Sequence, residues 1–260
     1  MTSQPTAQPQ AIPAATVVIF RNGPAGEPPE ILMTIRSRNM VFAGGMAVFP
    51  GGRVDEADYD LARMIAESDD VDEIANQIAA VRETLEETGL AVGLLGAIDA
   101  ESARKARERL LEVKALAPVL EEFGWSLDLM QLTPFARWHP KNKDVGRVYD
   151  TRFYLANLGT GAVDIEADLS ENTHLFWTSA QGALDAAETE KIKIIFPTRR
   201  NLERLALFNS FEETKAQAEA IPVRTIVPQV DQNNGQPMLT IVEDAGYPIT
   251  KELLDTVMRG

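Results

Sequence analysis

The chain contains no cysteine, which excludes a disulfide framework, a thiolate metal site and a cysteine nucleophile. Basic residues are also scarce, with 25 lysines and arginines against 39 aspartates and glutamates, and the formal net charge is −14. So acidic a chain argues against a general nucleic-acid binder and against docking on anionic membranes. No apolar run approaches a membrane span, and the first residues lack a basic-then-apolar signal. These absences predict a cytoplasmic protein.

What the chain does have is enough apolar material for a sizeable core, since 45% of its 260 residues are hydrophobic and no linker interrupts them. We therefore predict a single domain over residues 14–260. The first 13 residues are rich in Gln, Pro, Ala and Thr, and this composition predicts a disordered arm at residues 1–13.

Three regions carry clear secondary-structure signals outside the candidate site. Short β-branched runs at residues 15–20 and 31–35 flank turn residues and predict a hairpin. Residues 101–128 predict a charged helical insertion, which Pro118 breaks or kinks and which either caps the site or forms a partner surface. Residues 222–243 predict a C-terminal hairpin around an Asn-Asn-Gly turn.

The most informative stretch is an amphipathic helix that ends before Gly89, a residue that favours helix termination. Its apolar stripe repeats at helical intervals through Ile74, Ile78, Val81 and Leu85. Glu83, Glu86 and Glu87 crowd a different face near the C-terminal end, where negative charge is unfavourable. Mutual repulsion at this end of a helix is a feature that selection for stability alone would avoid.

A divalent cation would relieve that repulsion, because Mg²⁺ and Mn²⁺ prefer hard oxygen ligands. The alternative interpretation is a solvated acidic face, which is what a pair of adjacent glutamates usually forms. The glycine pair Gly51-Gly52 upstream and Arg82 beside the glutamates favour the metal site. We therefore predict that Mg²⁺ or Mn²⁺ binds here.

The segment Arg82-Glu83-Thr84-Leu85-Glu86-Glu87-Thr88-Gly89-Leu90 resembles the second half of the Nudix box, GX5EX7REUXEEXGU, in which U is apolar. Gly52 matches the first glycine of the box. The step from Gly52 to Arg82 is 30 residues instead of the usual 14, so 16 extra residues interrupt the box. Asp58 stands at the place of the first glutamate of the box, and no role is assigned to it.

The preceding segment is similar to LLTxR(S/A)x3Rx3Gx3FPGG, a signature of Nudix hydrolases that cleave coenzyme A. The residues in register are Leu32, Met33, Thr34, Arg36, Ser37, Gly45, Phe49, Pro50, Gly51 and Gly52. Val41 replaces the second arginine of the signature. The interrupted box, with Arg137-Trp138 and the segment 150–153, is similar to the coenzyme A and acyl-coenzyme A diphosphatases of the Nudix 19 type.

The resemblance implies an α/β fold, the Nudix α/β/α sandwich with a mixed β-sheet, an interrupted box and an added helical insertion. It also implies a metal-dependent diphosphatase that cleaves a nucleoside diphosphate derivative. Coenzyme A or its acyl form would give 3′,5′-ADP and (acyl-)4′-phosphopantetheine. A pyrophosphatase of ADP-ribose or dinucleotides, or a nucleotide-sensing module without turnover, are the alternatives.

Each candidate site residue has an expected role. We expect Glu83, Glu86, Glu87 and the backbone of Gly52 to hold the metal, with Glu83 or Glu86 as general base and Arg82 orienting the carboxylates. Substrate phosphates are assigned to Arg36 and to the backbone of Gly51 and Gly52. Because Nudix enzymes often supply a further carboxylate from this part of the chain, the resemblance also makes Glu171 a candidate.

Residues 137–152 depart from the acidic trend. The basic residues here are Arg137, Lys141, Lys143, Arg147 and Arg152, against Asp144 and Asp150. A basic island of this kind would suit a phosphorylated substrate, although an ordinary surface loop is the alternative. The expected partner is thus a small nucleoside diphosphate derivative, with neither nucleic acid nor membrane, and a homodimer is left open.

Overall fold

The computed structural model describes residues 11–38, 43–66, 70–140, 148–159, 172–233 and 236–257. The first ten residues of the predicted arm therefore lie outside the described residues. The last residues assigned to that arm are structured, because Ile12 and Pro13 already belong to the first strand.

Eight of the strands form one mixed sheet, and the others form a pair and a separate three-stranded sheet. In chain order the strands are β1 (Ile12–Arg21), β2 (Glu30–Arg36), β3 (Ala47–Val48), β4 (Gly51–Arg53), β5 (Leu94–Leu95), β6 (Ser126–Leu127), β7 (Thr133–Trp138), β8 (Tyr149–Asn157), β9 (Asn172–Ser179), β10 (Thr225–Ile226), β11 (Gln229–Asn233), β12 (Gln236–Thr240) and β13 (Lys251–Leu253).

The main sheet has the order β10-β7-β8-β1-β2-β3, with β4 also paired to β1 and β9 to β2. The predicted hairpin is confirmed, because β1 and β2 pair antiparallel with Phe20 opposite Ile31. The β1–β8 and β10–β7 pairs are parallel and the remaining pairs are antiparallel, which makes the sheet mixed as predicted. The predicted C-terminal hairpin is formed by β11 and β12, and β13 adds a third strand.

The helices lie between and after these strands. They are α1 (Glu56–Ile65), α2 (Val71–Thr88), α3 (Ala100–Val113), α4 (Leu116–Phe123), α5 (Ala180–Glu188), α6 (Phe196–Leu205), α7 (Phe211–Ala220) and α8 (Leu254–Val257), with a 3₁₀ turn at Leu129–Gln131. No helix within the described residues combines the length and the apolar character that crossing a bilayer requires.

Side chains of β1 alternate between two hydrophobic clusters, one on each face of the sheet. Val17 and Ile19 join the cluster formed with α1 to α4. Val18 and Phe20 join the cluster formed with α5 to α7 and with residues 241–247. Helices thus cover both faces of the sheet, which confirms the predicted α/β/α sandwich.

The helix α2 is anchored at both ends by the residues that its sequence supplies. Asp70 caps its N-terminus by accepting a hydrogen bond from the backbone N–H of Glu73 at 3.1 Å. Gly89 ends it in the left-handed conformation, with φ 77°, as predicted. The C-terminal turn of α2 therefore reaches β4 in one defined register.

The helical insertion breaks just before Pro118. Lys114 adopts the left-handed conformation and ends α3, and Ala115 precedes α4. Pro118 lies in the first turn of α4, where the backbone N–H that proline lacks has no intrahelical acceptor. Proline also disrupts the helix at the carbonyl four residues before it, which here belongs to Lys114. The predicted break is therefore confirmed, and the insertion is two helices joined at Lys114 and Ala115.

Strand β4 approaches β1 so closely that Gly51 leaves no room for a side chain. A Cβ at Gly51 would lie 2.3 Å from the carbonyl oxygen of Ala15 and 2.6 Å from the Cα of Thr16. Gly26 also has a positive φ, of 87°, but a Cβ there would meet nothing within 4 Å.

We expect Gly51→Ala to lower the free energy of unfolding by about 3 kcal/mol, because backbone atoms must move to admit the new methyl group. Gly26→Ala is the matched control, and should lose only about 1 kcal/mol from its backbone conformation. Urea unfolding of both variants measures the difference. Equal losses in the two variants would contradict the close approach of β4 to β1.

Candidate active site

A cavity of about 600 Å³ opens where β4 meets the C-terminal half of α2. Its described lining joins the glycine pair and the glutamates to residues from β2, β7, β8 and α6. The lining residues that carry the argument below are Arg36, Phe49, Gly51, Gly52, Arg53, Asp55, Arg82, Glu83, Glu86, Glu87, Lys114, Trp138, Tyr149 and Phe153. The structure therefore brings together every predicted site residue except Glu171, which lies outside the described residues.

Arg82 is the buried centre of the site, with only 3% of its side chain exposed. Its Nε and Nη2 donate to the two carboxylate oxygens of Asp58, each at 2.9 Å, and Asp58 is 1% exposed. Nη2 also donates to the backbone oxygen of Arg53 in β4 at 2.9 Å. Burial alone would lower the pKa of Arg82, but its contacts with Asp58 and Glu83 outweigh burial and raise it.

The role of Asp58 was missed by sequence analysis. Its carboxylate also accepts a hydrogen bond from the backbone N–H of Asp55 at 2.9 Å, at the start of α1. Asp58 thus caps the first turn of α1 and fixes Arg82 at the same time. Its place at the first glutamate position of the Nudix box was the signal that could have assigned it.

The third nitrogen of Arg82 faces two of the candidate metal ligands, Glu83 and Glu86. Nη1 donates to Glu83 at 2.8 Å and lies 3.4 Å from Glu86. Burial raises the pKa of Glu83 to about 8; Arg82 opposes that rise, and the charges of Glu87 and Glu86 add to it. Negative charge at Glu83 is therefore only partly compensated by the residues around it.

The glycine pair packs directly against the glutamates. The backbone N–H of Gly51 donates to Glu87 at 2.9 Å, which ties β4 to α2. A Cβ at Gly52 would lie 2.4 to 2.6 Å from the carboxyl group of Glu83. A side chain at position 52 would therefore displace the carboxyl group of Glu83, whereas glycine lets the strand and the carboxylate approach.

The helical insertion supplies two cations to the end of α2. Arg107, in α3, donates to the backbone oxygen of Glu86 at 2.9 Å and contacts that of Glu87 at 3.4 Å. Lys114 Nζ lies 2.7 Å from the carboxylate of Glu86. Both contacts place positive charge where the helix carbonyls and glutamates are negative. The sequence left open whether the insertion caps the site or forms a partner surface. Because α3 caps the C-terminal end of α2 beside the cavity, the structure favours the first alternative.

The donor set fits a hard divalent cation, although the carboxylates do not yet converge. Among the described residues no three Asp, Glu, His or Cys side chains are gathered as metal ligands. The reason is visible at Arg82, whose guanidinium stands between Glu83 and Glu86. An oxygen-ligated Mg²⁺ or Mn²⁺ would nevertheless stabilise the ionised form of Glu83, whose pKa is raised, together with the carboxylates of Glu86 and Glu87.

The described lining of the cavity also includes aromatic and apolar side chains. Phe49, Trp138, Tyr149 and Phe153 line it, and Arg36, the predicted phosphate contact, lines the cavity as well. Trp138 is held by a hydrogen bond from its Nε1 to Tyr247 Oη at 3.0 Å. The cavity therefore offers both charged and aromatic groups to a single ligand.

Two arginines of the predicted basic island, Arg137 and Arg152, do not line this cavity. Arg137 forms a bidentate pair with Asp150 at 2.8 and 2.6 Å, and Arg152 pairs with Glu73 at 2.6 Å. Neither arginine lines the cavity. For these two residues the hypothesis of a phosphate-binding island is wrong, because carboxylates of the sheet and of α2 already neutralise them. The island's other basic residues, Lys141, Lys143 and Arg147, lie outside the described residues.

Comparison with known proteins agrees with this geometry. A family model for the NUDIX domain matches residues 11–113. The acyl-coenzyme A diphosphatase NUDT19 of Gallus gallus is 24% identical, over 77% of this chain and 69% of that protein. The crystal structure of a NUDIX hydrolase from Alicyclobacillus acidocaldarius is 27% identical, with a TM-score of 0.69 over 81% of this chain and 97% of its own.

We expect Asp58→Asn to lower the free energy of unfolding by about 3 kcal/mol, because it leaves the buried Arg82 charge without its carboxylate partner. Asp60→Asn is the matched control in the same helix, where the aspartate pairs with Arg63 in solvent. That pair should contribute less than about 1 kcal/mol. Urea unfolding measures the loss of stability in both variants. If the Asp58→Asn protein is as stable as the Asp60→Asn control, the central role of Arg82 is refuted.

Proposed function

This chain carries a Nudix domain and is a Nudix pyrophosphohydrolase, and from that premise we propose that it hydrolyses coenzyme A or acyl-coenzyme A in a metal-dependent reaction. The bond cleaved would be the diphosphate linkage, with water as the nucleophile. The products would be 3′,5′-ADP and 4′-phosphopantetheine or its acyl form.

The observation that carries this proposal is the charge distribution of the cavity. Its described lining holds four carboxylates, Asp55, Glu83, Glu86 and Glu87, and four cations, Arg36, Arg53, Arg82 and Lys114. The formal charges of this lining cancel. One divalent cation would therefore add two positive charges to this lining, which complements the two negative charges of a diphosphate ester. A binding site for a neutral metabolite would not need this arrangement.

Glu83, Glu86 and Glu87, with the backbone of Gly52, would hold the Mg²⁺ or Mn²⁺ ion. When bound, the ion would neutralise phosphate charge and lower the pKa of a coordinated water. Glu83 or Glu86 would accept the proton of the attacking water as general base. Arg82 would keep both carboxylates oriented, since Asp58 and the Arg53 backbone hold its guanidinium.

Coenzyme A has a long, partly apolar arm beyond the diphosphate, and the aromatic side chains of the cavity lining suit such an arm. Phe49, Trp138 and Phe153 would contact the apolar part of the ligand, while Arg36 and the backbone of Gly51 would contact phosphate oxygens. The similarity to an acyl-coenzyme A diphosphatase supports the same substrate class.

A second candidate substrate is ADP-ribose or a dinucleotide. Val41 occupies the position of the second arginine in the coenzyme A signature, so one basic residue expected for coenzyme A is absent from the sequence. The diphosphate and its cleavage would be the same in this alternative. Only the group attached to the diphosphate would differ.

A product assay by mass spectrometry separates these candidates. Purified protein with Mg²⁺ or Mn²⁺ would be offered coenzyme A, acetyl-coenzyme A, ADP-ribose and NADH side by side. We expect 3′,5′-ADP from the coenzyme A species. AMP from ADP-ribose or NADH alone would favour the second candidate, and the absence of product from all four would favour a nucleotide-sensing module.

We expect Glu86→Gln to reduce kcat by about 100-fold or more, because it removes a carboxylate proposed to bind metal or accept a proton. Glu108→Gln is the control, since Glu108 lies on the exposed side of α3 and pairs with Arg104. Both proteins should unfold at similar urea concentrations. Full activity of the Glu86→Gln protein would contradict the proposed role of the glutamate cluster.

We expect Mg²⁺ or Mn²⁺ to raise the thermal unfolding temperature of the wild-type protein. At a concentration 100 times the dissociation constant, the stabilisation is about 2.7 kcal/mol, or roughly 5 to 10 °C for a chain of this size. The increase should be much smaller for Glu86→Gln and unchanged for Glu108→Gln. Equal shifts in all three proteins would show that the metal binds elsewhere.

A further inference from the structure

The helix α3 ends on a residue that seldom adopts the required conformation. Lys114 has φ 54° and ψ 27°, in the left-handed region. The neighbouring helices α2 and α4 end in the same region on glycines, Gly89 and Gly124. Glycine adopts this conformation without strain, whereas a Cβ is unfavourable there. The chain therefore has a strained lysine where glycine would serve α3 better.

The charge that Lys114 places at the end of α2 offsets only part of this strain. The side chain of Lys114 is 62% exposed, and its ion pair with Glu86 is open to solvent. Exposed ion pairs contribute less to stability than a left-handed lysine loses. Strained residues of this kind cluster at functional sites, where the conformation directs a side chain. Here it directs the ammonium group into the lining of the cavity, 2.7 Å from a candidate metal ligand.

Lys114 is also better able to change partner than its neighbouring cations. Arg82 is buried and bound to Asp58 and to the Arg53 backbone. Arg107 is buried against the last carbonyls of α2. Lys114 has a flexible stem and an exposed head, so its ammonium group can swing without disturbing the fold.

We propose that Lys114 is a substrate-binding residue whose ammonium group passes from Glu86 to the diphosphate oxygens when metal and substrate enter the cavity. This inference rests on the proposed function. A divalent cation at Glu86 would take over the neutralisation that Lys114 provides in the ligand-free protein. The ammonium group would then lie beside the same cation with no need to pair with Glu86, and diphosphate oxygens would be its strongest available acceptors.

The test compares Lys114→Gly with Lys114→Arg and the wild-type protein. Glycine removes the ammonium group while it accepts the left-handed conformation, so the end of α3 is kept. Arginine retains the charge. Lys105→Ala is the matched control, because it removes one positive charge from the exposed side of the same helix, where Lys105 pairs with Glu101.

With saturating Mg²⁺ and the substrate identified by the product assay, we expect Lys114→Gly to raise KM about tenfold, the effect of losing one charge-assisted contact. Its kcat should change by less than about threefold. Lys114→Arg should restore most of the affinity, and Lys105→Ala should match the wild type. An unchanged KM in Lys114→Gly would overturn the proposal. A lower kcat at constant KM would also overturn it, because Lys114 would then act only by positioning Glu86.

A binding measurement separates this inference from the proposed function. Calorimetric titration with α,β-methylene-ADP and Mg²⁺ requires no turnover, and Lys114→Gly should bind this diphosphate about tenfold more weakly than the wild type. Wild-type binding without turnover of any substrate would refute hydrolysis while leaving Lys114 to be judged by the binding ratio. Equal affinity of the two proteins would overturn the role of Lys114 whatever the activity. Where the wild type turns over a substrate without binding this diphosphate, hydrolysis stands, and the KM of Lys114→Gly alone decides the role of Lys114.

Discussion

The pairing of the buried Arg82 with Asp58 is the interaction on which the rest of the site depends. A buried guanidinium is tolerated only when its donors are satisfied, and here three elements satisfy them together. Asp58 belongs to α1, Arg53 supplies a carbonyl from β4, and Glu83 follows Arg82 in α2. Because any displacement of these elements would expose an unpaired charge, the residues that interrupt the Nudix box are held in register with α2.

The second constraint is the negative charge at the end of α2. Helix carbonyls and glutamates there would repel one another, and no basic residue lies in the last turn of the helix itself. The insertion resolves this problem from outside, with Arg107 on the carbonyls and Lys114 on Glu86. The insertion therefore places two cations at the candidate site as well as extending the fold.

Local patterns predicted the elements that local interactions determine. The apolar stripe of α2, its glycine stop and the β1–β2 hairpin depend on residues close in sequence, and the structure confirms them. The partners of cations depend on tertiary placement instead. Arg152 pairs with Glu73, which lies 79 residues away in sequence. Counting charges over a short window therefore wrongly assigned Arg152 to a phosphate site. The contacts of Asp58, Arg107 and Lys114 with α2 were missed for the same reason.

The cavity also shows why the reaction is easier to predict than the substrate. Its glutamates, glycine pair and Arg82 lie within residues 11–113, the part that matches the NUDIX family model. Of its aromatic lining, Phe49 lies within that part, whereas Trp138, Tyr149 and Phe153 lie beyond it, and Trp138 is fixed by long-range contacts. Trp138 packs edge-on against Phe196 and donates to Tyr247, which in turn donates to Asn201 at 2.7 Å. Metal and diphosphate chemistry can thus follow from a short motif, whereas selectivity for the attached group depends on how α6 and the C-terminal segment hold this tryptophan.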